Sequence, residues 1–74
     1  MREWLKTLRE QKGLTMKELS EKLSISESYY CAVENGNRQK KMDLFFICEI
    51  ARALEVSVET VVQLEREYLC AIAS

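Results

Sequence analysis

The sequence lacks proline and histidine altogether and has only two glycines in its 74 residues. Because proline and glycine are the main residues of turns and loops, their scarcity predicts an all-helical protein with few loops. Without histidine, and with no Cys-x-x-Cys pair among Cys31, Cys48 and Cys70, the chain has no zinc-ligand set. We therefore expect no metal and no cofactor, and three small, buried or half-buried cysteines in a reducing compartment.

Other absences narrow the class of protein further. No apolar stretch approaches the length of a membrane span, and no charged leader precedes an apolar run, so we expect a cytoplasmic protein with no membrane association. No nucleophile–base pair is evident, which argues against an enzyme. The content of 47% hydrophobic and 31% charged residues is that of a globular protein, and the length fits one domain over residues 1–74 with a small core.

The charge is nearly balanced overall but unevenly distributed. Residues 1–41 carry nine lysines and arginines against six acidic residues, giving +3, whereas residues 42–74 carry two against six, giving −4. A basic front and an acidic back fit a protein that presents one end to phosphates. The excess is small, so charge alone is weak evidence.

The most informative segment is residues 15–36, TMKELSEKLSISESYYCAVENG. Thr15 and Glu18 have the spacing of a capping box, which predicts a helix over 16–23. Ser26 is an N-cap for another helix over 27–35, which Gly36 ends. Two short helices joined by so tight a turn must cross steeply, as in a helix-turn-helix, and this geometry indicates DNA.

Three further helices complete the prediction. The first covers 2–12, with Trp4, Leu5 and Leu8 on one face and Gly13 as its stop. Asp43 caps a fourth over 44–54, and Ser57 caps a fifth from Val58 to about Ala73. The inward face of the fourth is predicted to contain Leu44, Ile47, Cys48, Ile50, Ala51 and Leu54. Tyr30 is predicted to lie in the core, with its hydroxyl at the edge of the domain.

The order of these parts resembles the Cro/repressor-type helix-turn-helix family, also called the xenobiotic-response-element type. The resemblance covers about residues 5–64. It rests on the segments LREQKGLT (8–15), EL (18–19), IS (25–26), VENGNR (33–38) and IARALEVS (50–57). It implies a compact five-helix, lambda-repressor-like domain that inserts its third helix into the DNA major groove, usually as a dimer.

The resemblance also implies base-reading roles at the start of the third helix, for Glu27, Ser28, Tyr29 and Ala32. Glu27 can accept from a cytosine amine, and Ala32 can touch a thymine methyl group. Equally, Glu27 can be a first-turn residue that stabilises its own helix dipole. Tyr29 is placed on the exposed side, where a phosphate or base contact is preferred over simple exposure.

Phosphate contacts are the second implied role. Thr15 and Asn35 match positions that contact phosphates in the family. The other candidates are Lys17, on the outer face of the second helix, and the loop cations Arg38, Lys40 and Lys41. Thr15 is first of all a helix cap, and Lys17 is a weaker candidate, as is Lys6. The basic loop over 36–42 can also be simply a solvated loop, but in this family it runs beside the DNA backbone.

Arg9 and Glu34 match a pair that forms a salt bridge in members of the family. Their spacing alone does not show this link, and a structural role is expected for both. The chain also departs from the family pattern: Ser24 stands where glycine is favoured, so a left-handed conformation is expected there. The third helix has no Arg, Lys, Gln or Asn between Glu27 and Val33, which leaves more discrimination to DNA shape.

The fifth helix carries two neighbouring apolar stripes. One can seal the core and the other can contact a second subunit. The predicted dimer interface comprises Val61, Leu64, Tyr68, Leu69 and Ile72. The alternative is that both stripes pack inside, with Trp4 covering one of them.

Together these features predict a sequence-specific DNA-binding regulator, most simply a nucleoid-associated homodimeric repressor on an inverted-repeat operator, with no small-molecule ligand. A phage repressor, a restriction-modification controller and an antitoxin-type autoregulator remain open within this class. The alternative from another class is a protein-interaction module or antitoxin-type partner binder that kept the fold with weak or no DNA binding.

Overall fold

The computed structural model describes residues 1–73, which form five helices and no strand. The helices are α1 (Glu3–Gln11), α2 (Met16–Lys22), α3 (Glu27–Glu34), α4 (Leu44–Leu54) and α5 (Val58–Ala73). The predicted fold class is confirmed. The first three helices are slightly shorter than predicted: α1 loses one residue at each end, and α2 and α3 end one residue earlier.

The predicted helix starts are confirmed in atomic detail. The Thr15 hydroxyl accepts from the Glu18 amide at 3.1 Å, and the Glu18 carboxylate accepts from the Thr15 amide at 2.9 Å, so the capping box is complete. The side chains of Ser26 and Asp43 cap α3 and α4 by accepting from the amide three residues on. The Ser57 hydroxyl accepts from the Thr60 amide at 3.1 Å. Each such cap satisfies an amide that a helix start otherwise leaves free, and contributes about 1 kcal/mol.

The core lies where one face of each helix meets the others. Its buried apolar members are Leu5, Leu19, Leu23, Tyr30, Val33, Phe46, Ile50, Ala51, Ala53, Leu54 and Val61. A fully buried leucine or phenylalanine contributes about 2 kcal/mol relative to an exposed one. The core therefore ties the α2–α3 pair to α1, α4 and α5.

The predicted inward face of α4 is partly wrong. Leu44 is 69% exposed and Cys48 is exposed, whereas Phe46 and Ala53 are buried. The buried face of α4 passes through Phe46 and Ile50, and Cys48, two residues from each, points away from it. The elements that α4 packs against thus decide which of its faces is buried, and the face that is richest in apolar residues is not the buried one.

The cysteine prediction also needs correction. Cys31 is half-buried as predicted, but Cys48 and Cys70 are exposed. Cys48 lies on the outer face of α4. Cys70 follows the buried Glu65 by five residues, about 140° around α5.

Candidate nucleic-acid interface

The tight turn between α2 and α3 depends on one residue in a left-handed conformation. Ser24 has φ +58°, the left-handed conformation expected from the resemblance, which favours glycine at this position. The Ile25 amide donates to the Ser20 carbonyl at 3.0 Å, and this hydrogen bond ends α2. Ser20 itself is buried, and its hydroxyl donates to the Lys17 carbonyl at 2.7 Å. The small Ser20 side chain thus allows the close crossing of the two helices.

The first turn of α3 presents two polar side chains to solvent. Glu27 and Ser28 are both exposed, and Ala32, one turn further on, is half-buried. The Ser26 hydroxyl accepts from the Tyr29 amide, so the side chains of Glu27 and Ser28 are not used for capping. The exposed end of α3 is therefore free to meet another molecule through Glu27 and Ser28.

Tyr29 differs from its predicted exposed position. The ring is half-buried and packs against the core, and the Gln39 side chain donates to its hydroxyl at 3.0 Å. A shallow pocket lies there, lined by Ile25, Ser26, Tyr29, Gln39 and Phe46. Because Gln39 belongs to the basic loop, this bond places the loop beside α3.

The end of α3 is closed by the predicted Asn35–Gly36 pair. Gly36 has φ +86°, and its amide bonds to the Val33 carbonyl at 3.1 Å. Asn35 is exposed, and its side-chain amide lies 3.5 Å from the Cys31 sulfur. Asn35 thus remains accessible from solvent.

The start of α2 presents Thr15 and Lys17, both of which are exposed. The hydrogen bonds from the Thr15 backbone and hydroxyl lower the pKa of the Glu18 carboxyl. Glu18 therefore stays ionised in the first turn of α2, where a negative charge interacts favourably with the helix dipole.

The basic loop lies after α3. Its start folds back on the helix, because the amides of Asn37 and Arg38 both donate to the Ala32 carbonyl, at 2.8 and 3.2 Å. The side chains of Arg38, Lys40 and Lys41 are all exposed. These cations are thus next to α3 but directed to solvent.

Sequence reasoning missed the residue that holds this loop, which is Arg2. Arg2 is fully buried and its guanidinium donates to Glu65 through Nε and Nη2, at 2.9 and 2.8 Å. Nη1 donates to the carbonyls of Val33 and Arg38, at 2.6 and 3.1 Å. Nη2 also donates to the Gln39 carbonyl. We call Arg2, Glu65 and these three carbonyls the Arg2 clasp.

Two aromatic side chains complete the surroundings of the clasp. The Tyr68 ring lies against Arg2, with 5.1 Å from the guanidinium carbon to the ring centroid. Trp4 donates its indole N–H to Glu65 at 3.2 Å. The clasp partners lie 31 to 63 residues from Arg2 along the chain. The one sequence signal was Glu65 itself, a carboxylate between Val61 and Tyr68 on the inner side of α5.

A second buried ion pair joins α1 to α3. Arg9 Nε donates to Glu34 Oε2 at 3.0 Å, and the same oxygen accepts from the Tyr30 hydroxyl at 2.6 Å. Arg9 Nη1 donates to the Leu14 carbonyl at 2.9 Å. The Tyr30 hydroxyl is thus buried, not at the domain edge as predicted. Glu34 Oε1 is buried with no partner among the described residues.

This cluster perturbs the titration of both its donors. Burial acts to lower the pKa of Arg9, but the hydrogen bond and charge of Glu34 outweigh it and raise that pKa. Burial, followed by the hydrogen bond to Glu34, raises the pKa of the Tyr30 hydroxyl. Arg9 and Tyr30 therefore keep their protons, and the cluster is structural.

The predicted dimer residues on α5 lie in different environments. Val61 has no exposed surface, which removes it from the candidate interface. Leu64 and Tyr68 are half-buried, and the Tyr68 ring already lies against the Arg2 guanidinium. Leu69 is half-buried and Ile72 is 59% exposed. Leu64, Leu69 and Ile72 thus keep exposed surface, and Leu69 and Ile72 lie within about 40° of Glu65 around α5.

An apolar groove of about 490 Å³ runs beside Leu69. It lies between the end of the basic loop, α4 and α5, and is lined by Lys41, Met42, Ile47, Val62, Glu65, Arg66, Leu69, Cys70 and Ala73. Phe45, two residues before Ile47 on α4, is 74% exposed. Residues 1–73 contain no group of three side chains that could hold a metal ion, and no helix among them is long and apolar enough to cross a membrane.

Comparison with known proteins gives two kinds of match. A model of the helix-turn-helix family matches residues 5–61. Over 39 residues, the chain is 44% identical to the uncharacterized HTH-type transcriptional regulator YqaF of Bacillus subtilis (strain 168), a match that covers 53% of this chain and 51% of that protein. It is 32% identical over 63 residues to the HTH-type transcriptional regulator SinR of the same organism, covering 85% and 56% of the two chains. The chain thus spans about half the length of the curated relatives it matches.

Proposed function

Because this chain belongs to the helix-turn-helix family, we propose that it is a DNA-binding transcriptional regulator that docks α3 in the major groove. The observation that carries this proposal is the α2–turn–α3 unit. Ser26 caps the start of α3, and the side chains of Glu27 and Ser28 in its first turn are exposed. Two relatives named as transcriptional regulators support it.

Direct base reading falls to few side chains. Glu27 accepts from a cytosine amine and Ser28 bonds to several base edges, while Ala32 contacts a thymine methyl group. The Tyr29 hydroxyl already accepts from Gln39, so it keeps its own proton to donate to a base or phosphate oxygen. With no Arg, Lys, Gln or Asn between Glu27 and Val33, shape readout supplies much of the specificity.

Phosphate contacts supply most of the affinity. The exposed cations of the basic loop, Arg38, Lys40 and Lys41, lie next to α3 through the Gln39–Tyr29 bond. The exposed side chains of Thr15, Lys17 and Asn35 flank the two helices. In this proposal they contact the backbone on either side of the groove that α3 enters.

The regulator acts as a homodimeric repressor on an inverted repeat. Two copies place their α3 helices about 34 Å apart, one turn of DNA. Leu69 and Ile72 of α5 form the contact, together with Val62, which is 41% exposed. Val62 and Leu69 line the same groove as Lys41, so in this proposal the dimer contact lies beside the basic loop.

One set of observations favours a second candidate, a protein-interaction module or antitoxin-type partner binder. The poorly equipped α3 and the net charge of −1 weaken the case for DNA, and the apolar groove gives a partner a place to bind. A steep fall of DNA affinity with salt favours the regulator. Absence of binding even at low salt favours the interaction module.

The first experiment is selection of bound sites from a random DNA pool. An inverted repeat among the selected sites supports dimeric docking, and a single half-site contradicts it. On the selected site, Ser28→Ala is expected to change sequence preference with little change in affinity for unrelated DNA.

The loop assignment is tested by charge reversal. Lys40→Glu with Lys41→Glu is expected to weaken binding to all sequences alike and to reduce the salt slope by about 0.9 per lost phosphate contact. The matched control is Lys12→Glu with Lys22→Glu, which changes net charge equally at two exposed positions outside the proposed DNA and dimer contacts. Equal losses in both double variants would contradict a specific role of the loop.

A further inference from the structure

We propose that Arg2 is a positioning residue for DNA binding, which holds the basic loop in the conformation that aligns Lys40 and Lys41 with the phosphates. The inference rests on the proposed function for its DNA part. Its structural part, that Arg2 holds the loop, stands separately and is tested separately below.

The geometry shows that Arg2 acts through the loop and not on DNA directly. A guanidinium has five N–H donors, and the clasp gives each one an acceptor: two Glu65 oxygens and the carbonyls of Val33, Arg38 and Gln39. Arg2 is also fully buried. No donor and no surface remain with which Arg2 could bind a phosphate.

The loop needs such support because its own backbone provides little. Within residues 1–73, no backbone amide of residues 39–42 donates to a backbone carbonyl. Gln39 has φ +53°, a left-handed conformation that residues other than glycine keep only when their surroundings hold it. The clasp accounts for this, since Arg2 binds the carbonyls of Arg38 and Gln39, immediately before Lys40.

The clasp also joins the loop to the rest of the fold. Glu65 and Tyr68 come from α5, and the Arg2 amide donates to the Glu34 carbonyl at the end of α3, at 2.7 Å. A Cβ on Gly36 would lie 2.5 Å from the Tyr68 hydroxyl, so α5 is packed tightly against the first residue of the loop. The position of the loop cations is thus set by α3 and α5 together, through Arg2.

The test uses Arg2→Lys, which keeps a positive charge beside Glu65 but offers three donors in place of a planar fork of five. Trypsin provides a readout without DNA, because Arg38, Lys40 and Lys41 are its own cleavage sites. Cleavage in the loop is expected to rise roughly tenfold, the factor that corresponds to about 1.4 kcal/mol, since two of the five clasp acceptors lose their donor. The matched control is Arg52→Lys at an exposed ion pair on α4, for which loop cleavage is expected to stay unchanged.

The DNA readout is a double-mutant cycle. On the selected site, Arg2→Lys is expected to reduce the salt slope of the binding constant by the amount that corresponds to roughly two lost phosphate contacts. It is expected to have no further effect in a Lys40→Gln, Lys41→Gln background, because the cations through which it acts are absent. A merely destabilising change would weaken binding equally in both backgrounds.

Each outcome supports or overturns a defined part. Unchanged loop cleavage in folded Arg2→Lys overturns the clasp, and an equal loss in both backgrounds overturns its role in DNA binding. If Arg2→Lys fails to fold, Tyr68→Leu, which removes the ring against Arg2, is expected to increase loop cleavage more than Tyr68→Phe, which keeps the ring and removes only the hydroxyl next to Gly36. Equal cleavage of the two variants contradicts the proposal. Wild-type protein that binds no DNA at low salt overturns the proposed function and the DNA part of this inference, while the trypsin result still decides the structural part.

Discussion

Removal of Arg9 from the buried cluster on α1 and α3 is expected to destabilise the protein strongly. Glu34 is 1% exposed, and in Arg9→Met only the Tyr30 hydroxyl remains to it as a side-chain donor. Breaking a buried ion pair by removing one partner costs about 3–5 kcal/mol, because the other charge remains desolvated. A chain of this length is stable by roughly 4–11 kcal/mol, so the variant is expected to lose a large part of its stability.

The measurement is urea unfolding followed by circular dichroism, with the free energy of unfolding extrapolated to water. In thermal unfolding, a loss of about 3 kcal/mol corresponds to a fall of at least about 12 °C in Tm for a domain of this size. The matched control is Arg52→Met, which breaks the Glu49–Arg52 pair. The Arg52 side chain is 59% exposed and that of Glu49 is 30% exposed, so the expected loss is below about 1 kcal/mol.

Replacement of both partners separates the cost of an unpaired charge from the worth of the pair. Arg9→Met with Glu34→Leu is expected to recover much of the stability that Arg9→Met alone loses, since no charge then remains buried without its partner. The reasoning is refuted if Arg9→Met costs no more than Arg52→Met. It is also refuted if the double substitution is less stable than Arg9→Met alone.

Three further predictions concern backbone conformation and pH. Ser24→Gly is expected to stabilise the protein by about 0.5–1 kcal/mol in urea unfolding, because φ is +58° there and glycine adopts this conformation without steric cost; a loss of stability would show that Ser24 has another role. Gly36→Ala is expected to destabilise by at least about 1 kcal/mol, since it places a Cβ at φ +86° and 2.5 Å from the Tyr68 hydroxyl; unchanged stability would contradict the close packing of α5 on the loop. Glu18 has its pKa lowered from 4.5, so its contribution to stability is present above about pH 4.5 and is lost as the pH falls through the folded-state pKa; the stability difference between wild type and Glu18→Gln is expected to shrink below pH 4.5, and a constant difference would refute the linkage.

The helix starts are the part of the fold that the sequence predicted best. Thr15, Ser26, Asp43 and Ser57 each cap a helix as predicted. A cap joins a side chain to an amide three residues away, so the whole interaction is contained in a short stretch of sequence. The left-handed conformation of Ser24 was predicted from the family resemblance, because the family favours glycine at this position of the turn.

The candidate interface was only partly predictable. Exposure of Glu27, Ser28 and the loop cations agrees with the sequence analysis, but Tyr29 is half-buried and held by Gln39. The Arg9–Glu34 link came only from family resemblance, because spacing does not show a contact across 25 residues. The proposed DNA contacts of α3 and the basic loop remain predictions.

Local patterns in the sequence thus specify five helices and the caps of α2 to α5, because these depend on residues within about four positions of one another. Which face of each helix is buried depended on the neighbouring helices: packing exposed Leu44 and Cys48 and buried Val61 completely. The Arg2 clasp belongs to the same class, since its acceptors come from α3, the basic loop and α5. Only the folded chain brings five acceptors around one guanidinium, and only there does burial make each of those hydrogen bonds necessary.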